Sequence, residues 1–203
     1  MIKDLGIRVE SVWQGLRPAT KQMIVGALKE FSEHQTSQPH KATYDTQSDW
    51  ELGRLLSALD EQSRDASATH NSDKLREINM LSDACAAVLE QRTRSAEAFI
   101  QLAMRALERA DFRLFDRLAD ILGERFPAPE IAEIIRQDVP AQIRAVASET
   151  LATMPLPSLL GLLTDPIYYD IAKEAIELQA VEYENDDARW TLEAIEHDEK
   201  LRA

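Results

Sequence analysis

The amino-acid sequence predicts an all-α fold in which the C-terminal half forms a short α–α superhelix (a solenoid) and an N-terminal helical segment is packed on it or linked to it. Ala, Leu, Glu and Arg are abundant, and these residues lose little free energy on entering a helix, whereas only 6 of the 203 residues are Gly. Apolar residues recur at three- and four-residue steps along most of the chain. Between about Ala96 and Leu178 they also recur every 28 residues.

Two helices are expected in the first 35 residues. The first has an apolar stripe of Ile2, Leu5, Val9, Val12 and Leu16. Pro18 opens the second helix, whose stripe consists of Met23, Ile24, Ala27, Leu28 and Phe31. Residues 35–48 are almost devoid of apolar side chains, which predicts a polar loop.

Two longer helices should follow this loop. Ser48 is a candidate N-cap, with Glu51 completing a capping box. The buried face of the third helix is predicted to contain Trp50, Leu52, Leu55, Leu56 and Leu59. A second polar loop is expected at 64–72, and Ser72 is a candidate cap for a helix with the stripe Leu75, Ile78, Leu81, Cys85, Val88 and Leu89. Cys85, the only cysteine, has Ala neighbours and is expected to be a small core residue in a reducing compartment.

The 28-residue repeat is visible in three columns and in a duplicated proline pair. The columns are Leu107, Ile135 and Leu163; Phe115, Ile143 and Ile171; and Ala119, Ala147 and Ala175. Pro127 and Pro129 are followed 28 residues later by Pro155 and Pro157, in each case just before a predicted helix. Each unit is expected to be a helical hairpin whose first helix ends near the first column. Because one hairpin cannot bury its own apolar stripe, stacking on its neighbours is the expected solution.

One segment of the repeat resembles a known class. The sequence Asp-Val-Pro-Ala-Gln-Ile-Arg-Ala-Val-Ala at 138–147 is similar to the second helix of HEAT-like repeats, and Asp165-Pro166 and Asp111 begin two fainter copies. The period of 28 is shorter than the usual HEAT length, and the Arg column contains only Arg144. The resemblance covers residues 96–184 and is to an architecture; it implies a binding scaffold. The Asp residues are expected to cap these helices.

The charge is unevenly distributed. The net charge is −13, and residues 138–203 contain fourteen Asp and Glu against five Lys and Arg. An acidic surface repels phosphate groups, so we expect neither a nucleic-acid nor a membrane partner. A last helix after Asn185 should cap the stack through Trp190, Ala194 and Ile195, with its acidic residues in water.

Few patterns indicate chemistry. Motifs for phosphate binding or nucleophilic catalysis are absent from the sequence, and no cofactor is expected. Glu30 with His34, and Glu193 with His197, are four residues apart and could each offer two metal ligands on a helix face. His⁺ at a helix end is the commoner explanation. We therefore predict neither a metal site nor a catalytic residue.

The leading hypothesis is a non-enzymatic protein-interaction module. The chain is divided into 1–92 and 93–203, unless both form one continuous domain. Another protein, basic in one version of the hypothesis, would bind the exposed side of the second helices, at Arg113, Arg117, Gln142, Arg144 and Tyr168. Alternatives are an acidic inhibitor or nucleic-acid mimic that uses the C-terminal third, and an enzyme with a Glu/His metal site. We expect a cytoplasmic protein, since no signal peptide is recognisable, and the sequence does not predict its oligomeric state.

Overall fold

A computed structural model describes residues 5–33, 43–68 and 71–202. Every regular element in these ranges is helical, which confirms the all-α prediction. The chain divides into two compact units, Met1–Thr93 and Arg94–Ala203. Each unit has its own set of helices and its own buried side chains, and each is described by itself below.

The first unit consists of α1 (Ile7–Gly15), α2 (Pro18–Glu33), α3 (Thr46–Ala68) and α4 (Ser72–Arg92). The long helices α3 and α4 pack against each other, α1 packs on α3, and α2 packs mainly on α4. The fully buried side chains between them include Val9, Ile24, Leu52, Leu55, Leu56, Leu59, Ile78, Cys85 and Leu89. Cys85 is therefore the core residue that its Ala-rich surroundings predict.

The two predicted N-caps of the first unit are wrong by one to three residues. Helix α3 begins at Thr46, and Ser48 lies inside its first turn, where its backbone N–H and hydroxyl donate to Asp45 Oδ1 at 2.9 and 2.8 Å. Asp45 thus has the role predicted for Ser48. Helix α4 is capped by Asn71, whose side-chain oxygen accepts from the Lys74 N–H at 3.1 Å, because the helix already includes Ser72.

Three other expectations for the first unit need correction. The polar segment 64–72 is mostly helix, since α3 continues to Ala68. Of the predicted loop at 35–48, residues 43–45 are non-helical and 46–48 belong to α3, while the earlier part lies outside the described residues. Trp50 is not buried: 51% of it is exposed, and the Arg54 guanidinium lies 4.5 Å from its ring centre.

The second unit contains α5 (Ala96–Glu108), α6 (Phe112–Arg125), α7 (Ala128–Arg136), α8 (Ala141–Thr153), α9 (Leu156–Leu160), α10 (Tyr169–Val181) and α11 (Asp186–Arg202). A short 3₁₀ helix, Leu162–Thr164, follows α9. We call α5–α6, α7–α8 and α9–α10 the first, second and third hairpins. In the third hairpin, the expected first helix is thus divided into an α-helical and a 3₁₀ segment.

The helix ends of the three hairpins are evenly spaced. The first arms end at Glu108, Arg136 and Thr164, and the second arms end at Arg125, Thr153 and Val181. Both series advance by 28 residues. Prolines lie in the first turns of α7 and α9, as the duplicated proline pair predicts.

The packing of the second unit joins neighbouring hairpins. Besides the contacts within each hairpin, α5 packs on α7, α6 on α8, and α8 on α10. Two columns that the sequence analysis did not single out are the most buried: Ala103, Ile131 and Leu159, and Ala106, Ile134 and Leu162. The predicted Leu107 column is only half-buried, and in the Ala119 column Ala147 and Ala175 are buried. The inward face of the first arms is therefore rotated by about one residue from the prediction.

The predicted Asp caps are present at only one of three positions. Asp111 caps α6 through the Leu114 N–H at 3.0 Å. Asp165 instead closes a turn by accepting from the Ile167 N–H at 2.9 Å, because α10 begins four residues later. The cap residue of α8 is Pro140, and it makes no side-chain cap bond, so Asp138 does not cap that helix either.

The last helix packs on the stack through other residues than those predicted. Helix α11 packs on α10, and Ala188 is its fully buried contact. Trp190 is 65% exposed and Ala194 is also exposed, whereas Ile195 is half-buried. The inward face of α11 is thus offset from the predicted one, and Asp186, Asp187, Glu193 and Glu196 are exposed as expected.

Among the described residues, no single helix combines the length and the apolar character needed to cross a membrane. One sharply bent pair, Ala141–Thr153 with Leu156–Thr164, passes that test only when its two segments are taken together.

Candidate functional site

Four of the five predicted partner-binding residues lie on exposed positions of two adjacent helices. Arg113 and Arg117 are one turn apart on α6, and Gln142 and Arg144 are in the first turns of α8. Since α6 packs on α8, these side chains belong to neighbouring elements of the second unit. On α8, Gln142 and Arg144 lie on either side of buried Ile143 and so flank the buried stripe of that helix. The four exposed side chains are together called the second-helix face below.

Tyr168 differs from the other four because it is half-buried. Its hydroxyl donates to Glu133 Oε2 at 3.1 Å, which connects the start of α10 to α7. Glu133 also accepts two bonds from Arg136 at 2.7 Å and one from Gln137 at 3.0 Å. These bonds, above all those from Arg136, lower the pKa of Glu133 to about 2. Tyr168 therefore connects two hairpins, and its expected exposure is not observed.

The first unit has a dense polar cluster that the sequence analysis missed. The Arg17 guanidinium forms a two-bond pair with Asp45 (2.9 and 2.7 Å), and its Nε donates to Glu51 Oε1 at 3.1 Å. The Thr20 hydroxyl donates to the other oxygen of Glu51. Glu51, Thr20 and Ser48 are buried, although all are polar. The cluster joins the start of α2 to the start of α3.

The charges of this Arg17 cluster stabilise one another. The hydrogen bond to Asp45 raises the pKa of Arg17, and the same bond lowers the pKa of Asp45 well below its usual range. Nearby, the Tyr44 hydroxyl donates to Asp49 Oδ1 at 2.5 Å, and burial raises the pKa of Tyr44 far above that of a free tyrosine. Both carboxylates of the cluster accept from protein donors. The arrangement is that of a structural lock between helices.

An open cavity of about 450 Å³ lies in the second unit, where the α8–α9 turn approaches the α10–α11 turn. Its walls are Ala152, Met154, Pro155 and Leu156 on one side and Tyr183 and Asn185 on the other. Gln179, only 4% exposed, connects the two turns because its amide donates to the Met154 carbonyl oxygen at 2.6 Å. We call this feature the inter-turn cavity.

The α10–α11 turn is held by several hydrogen bonds. The backbone N–H of Asn185 donates to the Gln179 carbonyl oxygen at 3.1 Å, and its side-chain oxygen accepts from Asp187 and Ala188 at the start of α11. Between Tyr183 and Asn185, Glu184 adopts a left-handed conformation with φ of 50°. A non-glycine residue adopts this conformation only when its surroundings require it.

A second open cavity, of about 460 Å³, runs along α2 in the first unit. Its described lining is Lys21, Gln22, Val25, Gly26 and Lys29, all from one helix. The Lys21 ammonium lies 5.9 Å from the Trp13 ring centre and donates to the Gln14 carbonyl oxygen at 3.3 Å. This cavity is a helix surface with no opposing wall among its described lining residues.

Of the two Glu/His pairs noted in the sequence, only Glu193 with His197 lies within the described part of the chain. No group of three or more His, Cys, Asp or Glu residues there is suitably placed to hold a metal ion. Glu193 and His197 are exposed on α11. The second pair is outside this test, because His34 and the side chain of Glu30 lie outside the described residues.

Comparison with protein-family models, with curated proteins and with solved structures yields no match for this chain.

Two of these features had weak sequence signals. Gln179 stands 28 residues after Leu151, so a polar side chain occupies a position that is apolar in the preceding hairpin. Glu51 lies directly beside Leu52 in the buried stripe of α3. A charged or amide side chain at a helix position that faces the core indicates a polar contact there, since such groups are buried only with hydrogen-bonding partners.

Proposed function

We propose that the protein is a non-enzymatic protein–protein interaction module of the helical-repeat type, with the second unit forming a short HEAT-like superhelix. The observation that supports this most directly is the contact pattern of α5 to α10, in which each hairpin packs on the next one. Helix ends that advance by 28 residues agree with it. In such stacks, the core is formed between repeats and the outer helix faces stay free for binding.

Polar ties between consecutive hairpins give further support. Glu130 of α7 accepts from the Ala96 N–H at 2.7 Å and so caps α5 of the first hairpin. Tyr168 bonds to Glu133, and Gln179 bonds to the Met154 carbonyl oxygen, which connects the second and third hairpins. Each tie satisfies a polar group that would otherwise need water. The ties would fix how each hairpin is placed on the next.

The second-helix face is the proposed binding surface. Arg113, Arg117, Gln142 and Arg144 are exposed, and none of them is part of a buried column. Arg144 lies 3.5 Å from the carbonyl oxygens of Gln137 and Val139, at the limit of a hydrogen bond, which leaves the guanidinium accessible to a partner. Arginine forms two-bond contacts with carboxylates and is frequent at interfaces.

The acidic C-terminal third favours a second candidate function, the binding of a basic protein. Its fourteen acidic and five basic residues include exposed carboxylates on α10, on α11 and in the turn between them. Such a surface would accelerate association with a cationic partner and would make the binding salt-sensitive. This candidate is compatible with a repeat module, since both are protein–protein interactions.

The repeat architecture is tested by excising residues 126–153, one full period that joins Arg125 to Met154. A stack of equivalent units should stay folded when an internal unit is removed, with a cooperative but lower-temperature melt. The control removes half a period, residues 112–125, which is α6 alone and leaves α5 without the second arm of its hairpin. If both deletions unfold the chain to the same extent in circular dichroism, the superhelix proposal is wrong.

The binding function is tested by photo-crosslinking in native lysate with benzoylphenylalanine at Gln142, using Gln47 on α3 as the control position. Specific adducts are expected at Gln142, and the substitutions Arg113→Glu and Arg117→Glu should reduce them severalfold. Arg76→Glu, an exposed charge reversal on α4, should leave them unchanged. A failure to recover any specific adduct or co-purifying protein would reject the interaction-module proposal.

A further inference from the structure

The inter-turn cavity has an apolar wall on one side. Its volume of about 450 Å³ is in the usual range of ligand clefts, it is open to solvent, and it is lined by Ala152, Met154, Pro155 and Leu156 opposite the polar Gln179 and Asn185. The described lining contains no charged side chain. An apolar side chain placed against these four residues would lose contact with water on the side that faces them, which is favourable.

The cavity is preorganised by the contacts of its two turns. Gln179 fixes the α8–α9 turn at the Met154 carbonyl, and Asn185 is bonded both to Gln179 and to the first turn of α11. Glu184 keeps its left-handed conformation between these anchors. A rigid cavity loses little conformational entropy on binding, so a small contact area can give measurable affinity.

The rim of the cavity is acidic and aromatic. Tyr183 is 51% exposed, and its neighbours Glu182 and Glu184 are exposed as well. Asp187 is exposed on the first turn of α11, and Asp186 pairs with Arg189 at 2.8 Å. A cation beside a tyrosine ring and carboxylates gains from both groups. The chain itself shows this preference at Trp50, where Arg54 lies over the ring.

We infer that the inter-turn cavity is the docking site for a short peptide segment of a partner protein, with one apolar side chain inserted between the turns and an adjacent Lys or Arg at the Tyr183 rim. This inference rests on the proposed interaction function and specifies the chemistry of the partner. Nucleic acid and acidic peptides are repelled by the rim. A second copy of this chain, with its net charge of −13, is disfavoured for the same reason.

The test uses a phage library of random dodecapeptides selected on the full chain. Selected peptides should share an apolar residue next to Lys or Arg. Thr153→Lys places a cation at the end of α8 in the cavity wall, where a helix terminus tolerates it, and should weaken these peptides about tenfold or more. Tyr183→Ala should weaken them about fivefold through loss of the ring contact. Affinities are measured by fluorescence anisotropy with synthetic peptides.

A matched control distinguishes the effect of the carboxylates at the cavity rim from the effect of the chain's net charge. Replacing Glu182 and Glu184 by Gln should weaken binding at least threefold at low salt, whereas replacing exposed Glu97 and Asp116 by Gln and Asn removes the same charge and should leave affinity within about twofold. Selection of acidic peptides, of no common sequence, or of peptides insensitive to Thr153→Lys and Tyr183→Ala overturns the inference. If any of these results is obtained while specific crosslinked adducts form at Gln142, the inter-turn cavity is not the docking site, but the proposal of an interaction module stands.

Discussion

The two units are built from similar amounts of helix but are held together differently. In the first unit, the N-terminal ends of α2 and α3 are joined by the Arg17 cluster, and Arg17 and Glu51 are 34 residues apart in sequence. In the second unit, the buried side chains form apolar columns that recur from hairpin to hairpin, such as Ala103, Ile131 and Leu159. The polar contact in the first unit thus depends on one set of side chains. In the second unit, an equivalent apolar contact is repeated in each hairpin.

The difference shows how composition alone can mislead. Both units have amphipathic helices, yet one unit contains a buried carboxylate, Glu51, that accepts from Arg17 and Thr20, and no carboxylate is among the buried columns of the other. If one polar contact between hairpins is lost, the contacts between the other hairpins remain. If the Arg17 cluster is broken, no equivalent contact replaces it. The following substitutions test this distinction, from the largest expected effect to the smallest.

The largest effect is expected from Ile131→Ala in the second unit. Ile131 is completely buried at the centre of its column, so the substitution leaves a cavity between the first and third hairpins. The free energy of unfolding should fall by about 2–5 kcal/mol. Urea denaturation measures it, with Ile167→Ala, an exposed position, as the control within about 0.5 kcal/mol. Equal effects at both positions would contradict the column packing.

Glu51→Ala should be the most damaging single change among the polar residues of the first unit. The carboxylate accepts from Arg17 and Thr20, and its removal leaves buried Thr20 without this acceptor. We expect a loss of about 1–3 kcal/mol, since Arg17 itself is partly solvated. Glu61→Ala, which removes an exposed pair with Arg8, should cost less than about 1 kcal/mol. A double-mutant cycle with Thr20→Val should show coupling.

Glu133 should make the second unit acid-sensitive in a defined range. Its pKa is about 2 in the folded chain, below the ordinary value of 4.5 for a glutamate, so the native state favours the charged form. The associated stability is complete above about pH 4.5 and is lost as the pH falls towards 2. Glu133→Gln should reduce this pH dependence and lower stability at pH 7 by about 1 kcal/mol, after allowance for solvent screening. Urea unfolding curves between pH 2 and 7 measure this dependence for both proteins. If the variant and the unsubstituted chain lose stability equally as the pH falls, the bonds to Glu133 are not the cause.

A small gain is expected from Glu184→Gly. The left-handed backbone at this position costs a non-glycine residue about 1 kcal/mol, and the greater unfolded-state freedom of glycine offsets part of the relief. The melting temperature should rise slightly, by the equivalent of about 0.5 kcal/mol. Ala110→Gly, at the α5–α6 turn with φ of 52°, provides the comparison in another hairpin. A decrease at both sites would refute the strain argument.

The sequence predicted a structural feature correctly where a single physical rule determines that feature. Helical periodicity located the helices, and Asp111 caps α6 as the repeat predicts. The rotation of the first arms was missed because Leu107 and Ala106 are both apolar, so spacing alone cannot choose between them. The caps were missed because Asp45, Ser48 and Glu51 are all capable partners, and the choice depends on Arg17 from a distant helix.

The candidate surfaces were predicted less well than the fold. The exposed positions of α6 and α8 follow from helical phase, since their polar residues alternate with buried ones. The inter-turn cavity depends on Gln179 meeting a carbonyl 25 residues earlier, and no local rule specifies such a contact. Trp50 and Trp190 were assigned to the core from their place in apolar stripes, yet tertiary packing leaves both largely in water.

The Arg17 cluster also has a consequence for the order of folding. Its members become neighbours only after the chain between α2 and α3 has closed a long loop, which costs entropy before any bond is gained. The contacts between adjacent arms of the second unit close short loops and can form first. Amide protons that depend on the cluster, such as the Arg17 N–H donated to Glu51, would thus report the last step of assembly in the first unit.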